Sequence, residues 1–160
     1  MIEVSRRVDA SPDDVFAVVG DGWTFANWVV GAAHIRAVDP EWPAVGSRLH
    51  HSIGPWPVSI QDVTTVRAVR PGSHIELAAR MWPVGAARVR LILTPVPGGG
   101  TEMTLAEEAT EGPVRRIPTA VQGLFLRPRN EESLRRLADL ALGRRRQTDV
   151  PPERDDSTRP

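Results

Sequence analysis

The chain has 160 residues, 41% of them hydrophobic and 25% charged, which is the size and makeup of one globular domain with a substantial core. Twenty basic residues balance twenty acidic ones, so net charge points to neither a nucleic-acid nor an anionic-membrane partner. Every basic residue is an arginine, and cysteine and tyrosine are absent too, which excludes lysine Schiff bases, a P-loop, thiol catalysis, disulfides and thiolate metal sites.

The opening "MIEVSRRVDASPDDVF" has no apolar run of signal-peptide length, and nothing approaches the roughly 18 apolar residues of a membrane span. A cytoplasmic location is the expectation. "IEVSRRV" alternates as a first strand. It leads into a helix start with Ser11 as N-cap, Pro12 at the first helical position, and Asp13 and Asp14 at the positive end of the helix dipole. "GDGW" ends that helix, and "WTFANWVVG" reads as a second short one.

From there to residue 110 the period is two. "AHIRAVD", "VGSRLHHSI", "VSIQDVTTVRAV", "SHIELAARM", "AARVRLIL" and "TEMTLAEEA" are six strands, separated by Pro- and Gly-bearing links short enough for an antiparallel meander. After "TEGPVRRIP" helical spacing returns, with Leu134, Leu137, Ala138 and Ala141 on one face and Glu131/Arg135 and Glu132/Arg136 as i,i+4 pairs. Pro128 is expected to kink or split this helix, with Asn130 capping its second part. The domain is placed at residues 1–143, followed by a polar, Pro-rich, disordered tail over 144–160.

Alternation gives each strand one apolar face and one arginine-bearing face, hence a sheet with one side wet. His50 and His51 then point to opposite faces and cannot share a metal ion; His34, His50 and His74 fall on the wet side. His51 shares the apolar phase with Leu49. It sits directly opposite Asp62 if Ile53 pairs with Ile60, and diagonal to it if Ile53 pairs with Val58. A bulge in the fourth strand would move Asp62 outside. Glu107 is a third ionisable group in the apolar phase. His51 and Asp62 read either as a register-fixing hydrogen bond or as an acid/base pair, with the carboxylate orienting the ring and favouring its charged form. Glu107 reads either as an exposed residue on a fraying strand or as a buried carboxyl. The tryptophans Trp23, Trp28, Trp42, Trp56 and Trp82 either close the ends of the core or line a cavity mouth. No GxGxxG, HExxH or GxSxG motif is present, and no cofactor is expected.

The order strand, two short helices, six antiparallel strands, long helix resembles the helix-grip fold of the START and pollen-allergen superfamily, in particular its bacterial polyketide cyclase/dehydrase-like branch. "VDASPDDVFAVVGDGWTFANWV" is similar to the family's opening, "IRAVDPEWPAVGSRLHHSIGPWPVSIQDVTTVRAVRPG" to its second to fourth strands, "GGGTEMTLAEE" to its last strand and "RNEESLRRLADLA" to its closing helix. The resemblance implies an α+β fold, a seven-stranded antiparallel sheet wrapped around the C-terminal helix, with a hydrophobic cavity between them. It transfers no catalytic role to any position, because the family has no universal triad.

Three functions follow as expectations. The first is binding of a small hydrophobic molecule, with Trp23 and Trp28 at the mouth, walls from Leu49, Ile60, Leu77, Met81, Val89, Leu91, Met103 and Leu105, and Leu124, Phe125 and Leu134 from the helix. The second is a cyclase or dehydratase in which His51, polarised by Asp62, abstracts a proton next to a carbonyl while Glu107 acts as acid toward the departing hydroxyl. The third is a co-chaperone-like interaction domain with a filled cavity, using the arginine face or the "RRIP" loop.

Overall fold

The computed structural model describes residues 1–53, 60–81 and 85–148. The Gly-Pro-Trp-Pro turn with Trp56 and Val58, then Trp82, and residues 149–160 lie outside the described residues, as do the side chains of Ile53, Met81 and Thr148.

Strand β1 (Ile2–Val8) is followed by α1 (Pro12–Val19), a 3-10 turn (Gly22–Thr24) and α2 (Phe25–Trp28). Six strands come next: β2 (Ala32–Val38), β3 (Arg48–Ile53), β4 (Ile60–Arg70), β5 (His74–Met81), β6 (Gly85–Pro95) and β7 (Thr101–Glu111). A second 3-10 turn (Pro113–Arg116) leads into α3 (Thr119–Thr148). The seven strands make one antiparallel sheet in the order β1-β7-β6-β5-β4-β3-β2, the predicted meander with β1 added against β7. This is the helix-grip arrangement expected from the sequence.

The local reasons are in the sequence. α1 starts on a capping box: the Ser11 hydroxyl accepts from the Asp14 amide at 3.1 Å, and the Asp14 carboxylate accepts from the Ser11 amide at 3.0 Å. Val15, Val18 and Val19 are its buried face. At the start of β6, Gly85 has φ +138° and a Cβ there would lie 1.9 Å from the Glu111 carbonyl, so only glycine lets β6 pass that close to β7.

The sheet's inner face supplies Leu49, Val66, Ile75, Leu77, Leu91, Leu93, Met103 and Leu105, all under 5% exposed, and α3 meets them with Leu134, Leu137 and Ala141. At about 25 cal/mol per Å² of apolar surface, each fully buried Leu, Ile or Met contributes about 2 kcal/mol.

Three expectations change. α3 is one helix, so Pro128 does not split it, and Asn130 lies inside it, buried, where it cannot be an N-cap. Its last turns run on to Thr148, five residues into the stretch read as tail, and Arg144 pairs with Asp21 at 3.0 Å. Arg135 turns to Glu132 at 2.7 Å and Asp139 at 2.8 Å instead of to Glu131, while Glu132 and Arg136 pair as predicted.

Because the cap satisfies helix-end donors that have no intrahelical partner, Ser11→Ala is expected to lower the unfolding free energy by about 1 kcal/mol. Urea titration reads this as a lower midpoint at unchanged slope, and an unmoved midpoint would show that the cap contributes nothing.

Candidate ligand-binding site

Between the inner face of the sheet and the middle of α3 lies a cavity of about 270 Å³, closed on one side by α2 and the turn that follows it. Of the residues predicted as wall, Trp28, Ile60, Leu77, Val89 and Leu105 line it. Leu49, Leu91, Met103 and Leu134 do not; they are packed into the solid core. Met81 occupies the β5 position paired with Gly85, and its side chain lies outside the described part.

Trp23, Leu124 and Phe125 are 62%, 71% and 69% exposed and take no part. The reason is phase. The 3-10 turn at Gly22–Thr24 offsets the chain so that Phe25 and Trp28 go inward and Trp23 outward. On α3 the buried line is Gly123, Asn130, Leu134, Leu137 and Ala141, and at about 100° per residue Leu124 and Phe125 lie well away from it.

His51 is 3% exposed and lies on the cavity wall. Ile53 pairs with Ile60, so His51 is directly opposite Asp62, and the β4 bulge falls between Val66 and Ala68, beyond Asp62, which stays inside at 4% exposure. The two side chains nevertheless form no hydrogen bond. The His51 Nε2 is 3.0 Å from the Thr64 hydroxyl, and Asp62 Oδ1 accepts from the Val63 amide at 2.7 Å. His51 Nδ1 and Asp62 Oδ2 are buried with no partner among the described residues, as is the indole Nε1 of Trp28. Phe25 bridges these groups, its ring 5.8 Å from that of His51 and 5.5 Å, edge-on, from that of Trp28.

Burial lowers the His51 pKa from the ordinary 6.5; the Asp62 charge opposes this but is outweighed, and Arg36 adds to the lowering. The carboxylate favours the charged ring as expected, but desolvation outweighs it, so His51 is a neutral imidazole at neutral pH.

Glu107 is 3% exposed, so it is not at a fraying end, and it has not been buried alone. Its Oε2 accepts from the Arg129 guanidinium and, at 3.0 Å, from the Asn130 amide, whose own oxygen accepts from Arg129 at 3.1 Å. A carboxylate held by two donors is built as an acceptor, which does not suit the predicted role of acid. One turn on, the Ser133 hydroxyl accepts from the Val30 amide at 3.1 Å and donates to the Arg129 carbonyl at 3.0 Å, tying the turn after α2 to α3.

Phe25, Val29, Val30, Gly31, Ala32, Thr64, Ala79, Arg80, Arg129 and Ser133 also line it and were not singled out as wall from the sequence, nor was Asn130, which was read as a cap. Asn130 had a readable signal: it stands four, seven and eleven residues before Leu134, Leu137 and Ala141, a polar side chain in the apolar phase of a helix.

The wall is thus mainly apolar, with a neutral imidazole on the sheet side and a carboxylate, guanidinium and amide toward the helix. It can enclose an apolar body and offer hydrogen bonds at two points; His51, with one nitrogen held by Thr64, can exchange one proton. Among the described residues no three His, Asp or Glu side chains gather to hold a metal ion, and no helix is long and apolar enough to cross a membrane. His34 is exposed, and His50 and His74 are half-buried, away from the cavity.

Two predictions follow from this geometry. Arg129→Leu leaves Glu107 buried with one donor lost and is expected to cost about 2 kcal/mol, below the roughly 3–5 of a fully buried pair because Arg129 is 32% exposed. The double variant Glu107→Leu/Arg129→Leu should recover most of that in urea titration; no recovery would mean the arginine acts through packing. For His51, the unfolded imidazole takes up a proton as pH falls through 6.5 while the folded one resists to lower pH, so stability drops across that window. The melting temperature of His51→Asn should therefore fall less than that of the unaltered protein between pH 7.5 and pH 5, and equal falls would refute the assignment.

A family model described as polyketide cyclase / dehydrase and lipid transport matches residues 1–141. Comparison with curated proteins gives no match. Among solved structures, protein CV1439 from Chromobacterium violaceum superposes with a TM-score of 0.66 at 20% identity, covering 87% of this chain and 95% of that one. The di-domain ARO/CYC StfQ from the steffimycin biosynthetic pathway gives 0.68 at 14% identity, with 90% of this chain aligned to 51% of that one. Ara h 8.0201 gives 0.66 at 12% identity over 89% of this chain and 97% of that one. At such identities the superpositions establish the fold alone, while the family match spans nearly the whole described chain. The chain therefore belongs to the polyketide cyclase/dehydrase and lipid transport family.

Proposed function

We propose that the chain binds one small, mainly apolar molecule in the cavity between its sheet and α3. The observation that carries this is the set of buried polar groups around an apolar space: His51 and Trp28 on the wall, and Asp62 paired with His51 behind it, each hold a buried polar atom with no partner among the described residues. Each such atom costs on the order of 1–3 kcal/mol in a closed fold, and such atoms concentrate where a ligand or bound water completes them. An apolar cavity of about 150 Å³ takes a benzene ring, so about 270 Å³ suits a one- or two-ring compound or a short acyl chain. The family's activities and the solved structure of an ARO/CYC protein support a ligand of this kind.

A second reading, a cyclase or dehydratase, rests on the neutral imidazole. His51 would take a proton from the carbon next to a ligand carbonyl and return it to a departing hydroxyl, which leaves as water while the C=C bond forms. One group would serve as base and then as acid. Glu107 would orient the ligand as an acceptor, and Asp62 would stabilise the imidazolium by its charge alone. The co-chaperone-like reading predicts a filled cavity, and the open space between sheet and α3 favours the ligand reading over it.

Calorimetry with 2-naphthol separates these. Binding by the unaltered protein and at least a tenfold loss in Ala79→Phe, which fills the cavity from its wall, is the expected result. An Ala79→Phe variant that folds and binds equally well would overturn the site. His51→Ala should keep binding within a few fold under either reading; loss of turnover on a β-hydroxy ketone of similar size, with binding intact, would select the enzyme.

A further inference from the structure

The Gly112 to Asn130 stretch carries four arginines and no acidic residue, although the whole chain has zero net charge. Four of the eight large apolar side chains exposed among the described residues also gather here. Ile117 is 42% exposed, Val121 47%, Leu124 71% and Phe125 69%. Val121, Leu124, Phe125 and Pro128 stand at i, i+3, i+4 and i+7, one stripe of the first turns of α3. Gly123 and Asn130 are buried on the opposite side; a Cβ on Gly123 would meet Ile2 at 3.4 Å. The stripe thus points straight away from the sheet. Met1, 57% exposed, extends it across a shallow groove shared with Leu124 and Pro128. Arg115 and Arg116, in the turn just before the helix, form no ion pair among the described residues; Arg127, four residues after Gly123, lies on the sheet side and donates to the Glu3 carbonyl at 3.4 Å, and Glu131 closes the stripe.

A helix with an outward stripe of Val, Leu and Phe and flanking arginines has the makeup of an interfacial helix, whose apolar side chains enter the boundary between headgroups and acyl chains while cations meet lipid phosphates. We propose that the start of α3 and the turn before it dock the protein on an anionic lipid surface, with Leu124 and Phe125 inserted and Arg115 and Arg116 against the headgroups. A second copy fits less well: a two-fold pair would bring Arg115 and Arg116 toward their own copies. Zero net charge hides the patch because most acidic residues lie elsewhere in the chain; Glu111 and Glu131 stand at its two ends, and Arg129 is taken up by Glu107. The proposal does not depend on what fills the cavity, though Arg129 to Ser133, one turn further along, form part of its wall.

The test is co-sedimentation of the full chain with phosphatidylcholine vesicles, with and without phosphatidylglycerol. The protein should partition onto the mixed vesicles and not onto the neutral ones. Leu124→Ser/Phe125→Ser should lower partitioning at least about tenfold, and Arg115→Gln and Arg116→Gln about fivefold each. These positions are exposed, so unfolding midpoints and 2-naphthol binding should be unchanged, which separates this test from that of the cavity. No association, equal association with neutral vesicles, or association indifferent to the Leu124/Phe125 change would each overturn the proposal. Concentration-dependent dimers abolished by the same double change would also overturn it, assigning the stripe to a second copy.

Discussion

The contact on which the site depends is the one Glu107 makes with Arg129 and Asn130. A carboxylate in the apolar phase of β7 faces the interior between Ile2 on β1 and Val89 on β6, where an unpaired charge would be prohibitive. α3 answers it with a guanidinium and an amide from adjacent residues. That pairing sets both the rotation of α3 and its position along the sheet, because two consecutive side chains must reach one carboxylate oxygen. Apolar packing alone specifies a helix poorly against sliding; a directional contact of this kind removes the freedom.

The same contact explains why a cavity exists there. α3 holds the structure at two places: its C-terminal half packs Leu134, Leu137 and Ala141 into the core, and its first turns lie at Gly123 beside Ile2 on β1. Between these anchors the inward positions are Arg129, Asn130 and Ser133, which reach sideways to Glu107 and Val30 instead of filling the space beneath them. The helix is held off the sheet by polar residues engaged elsewhere. Space remains where leucines would otherwise have met the inner face.

Most of the fold was legible because it is written in periodicity and punctuation. The two-residue alternation from Ala33 to Ala109 placed six strands, and the Ser11-Pro12-Asp13-Asp14 start placed α1. Register was legible where one choice put apolar residues together, hence His51 opposite Asp62. What the strands could not state is how a directly opposed pair actually bonds: Thr64, on the same face, takes the His51 nitrogen, and Asp62 turns to its neighbour's amide. Nor could local pattern show which polar residue of a distant helix meets Glu107, since that needs the tertiary position of α3. Leu124 and Phe125 misled because apolar character was taken as burial, whereas their angular position on the helix sets them outside.

The cavity's position is also encoded as a gradient of side-chain size across the sheet. Taken by cross-strand register, one end of the inner face pairs Leu93 with Met103, and the next row sets Ile75, Leu91 and Leu105 side by side. The row after that is Leu77, Val89 and Glu107, and the last pairs Ala79 with Ala87 and Ala109. Side chains shrink and turn polar along one direction, so a sheet of constant spacing packs solid at the first rows and opens at the last. This gradient runs toward the part of α3 that carries Arg129 and Asn130, so sheet and helix thin out at the same place. A cavity that arose from loose packing would have no reason to coincide on two elements far apart in sequence. The coincidence, with His51, Trp28 and Glu107 at its edge, marks the space as a built part of the fold.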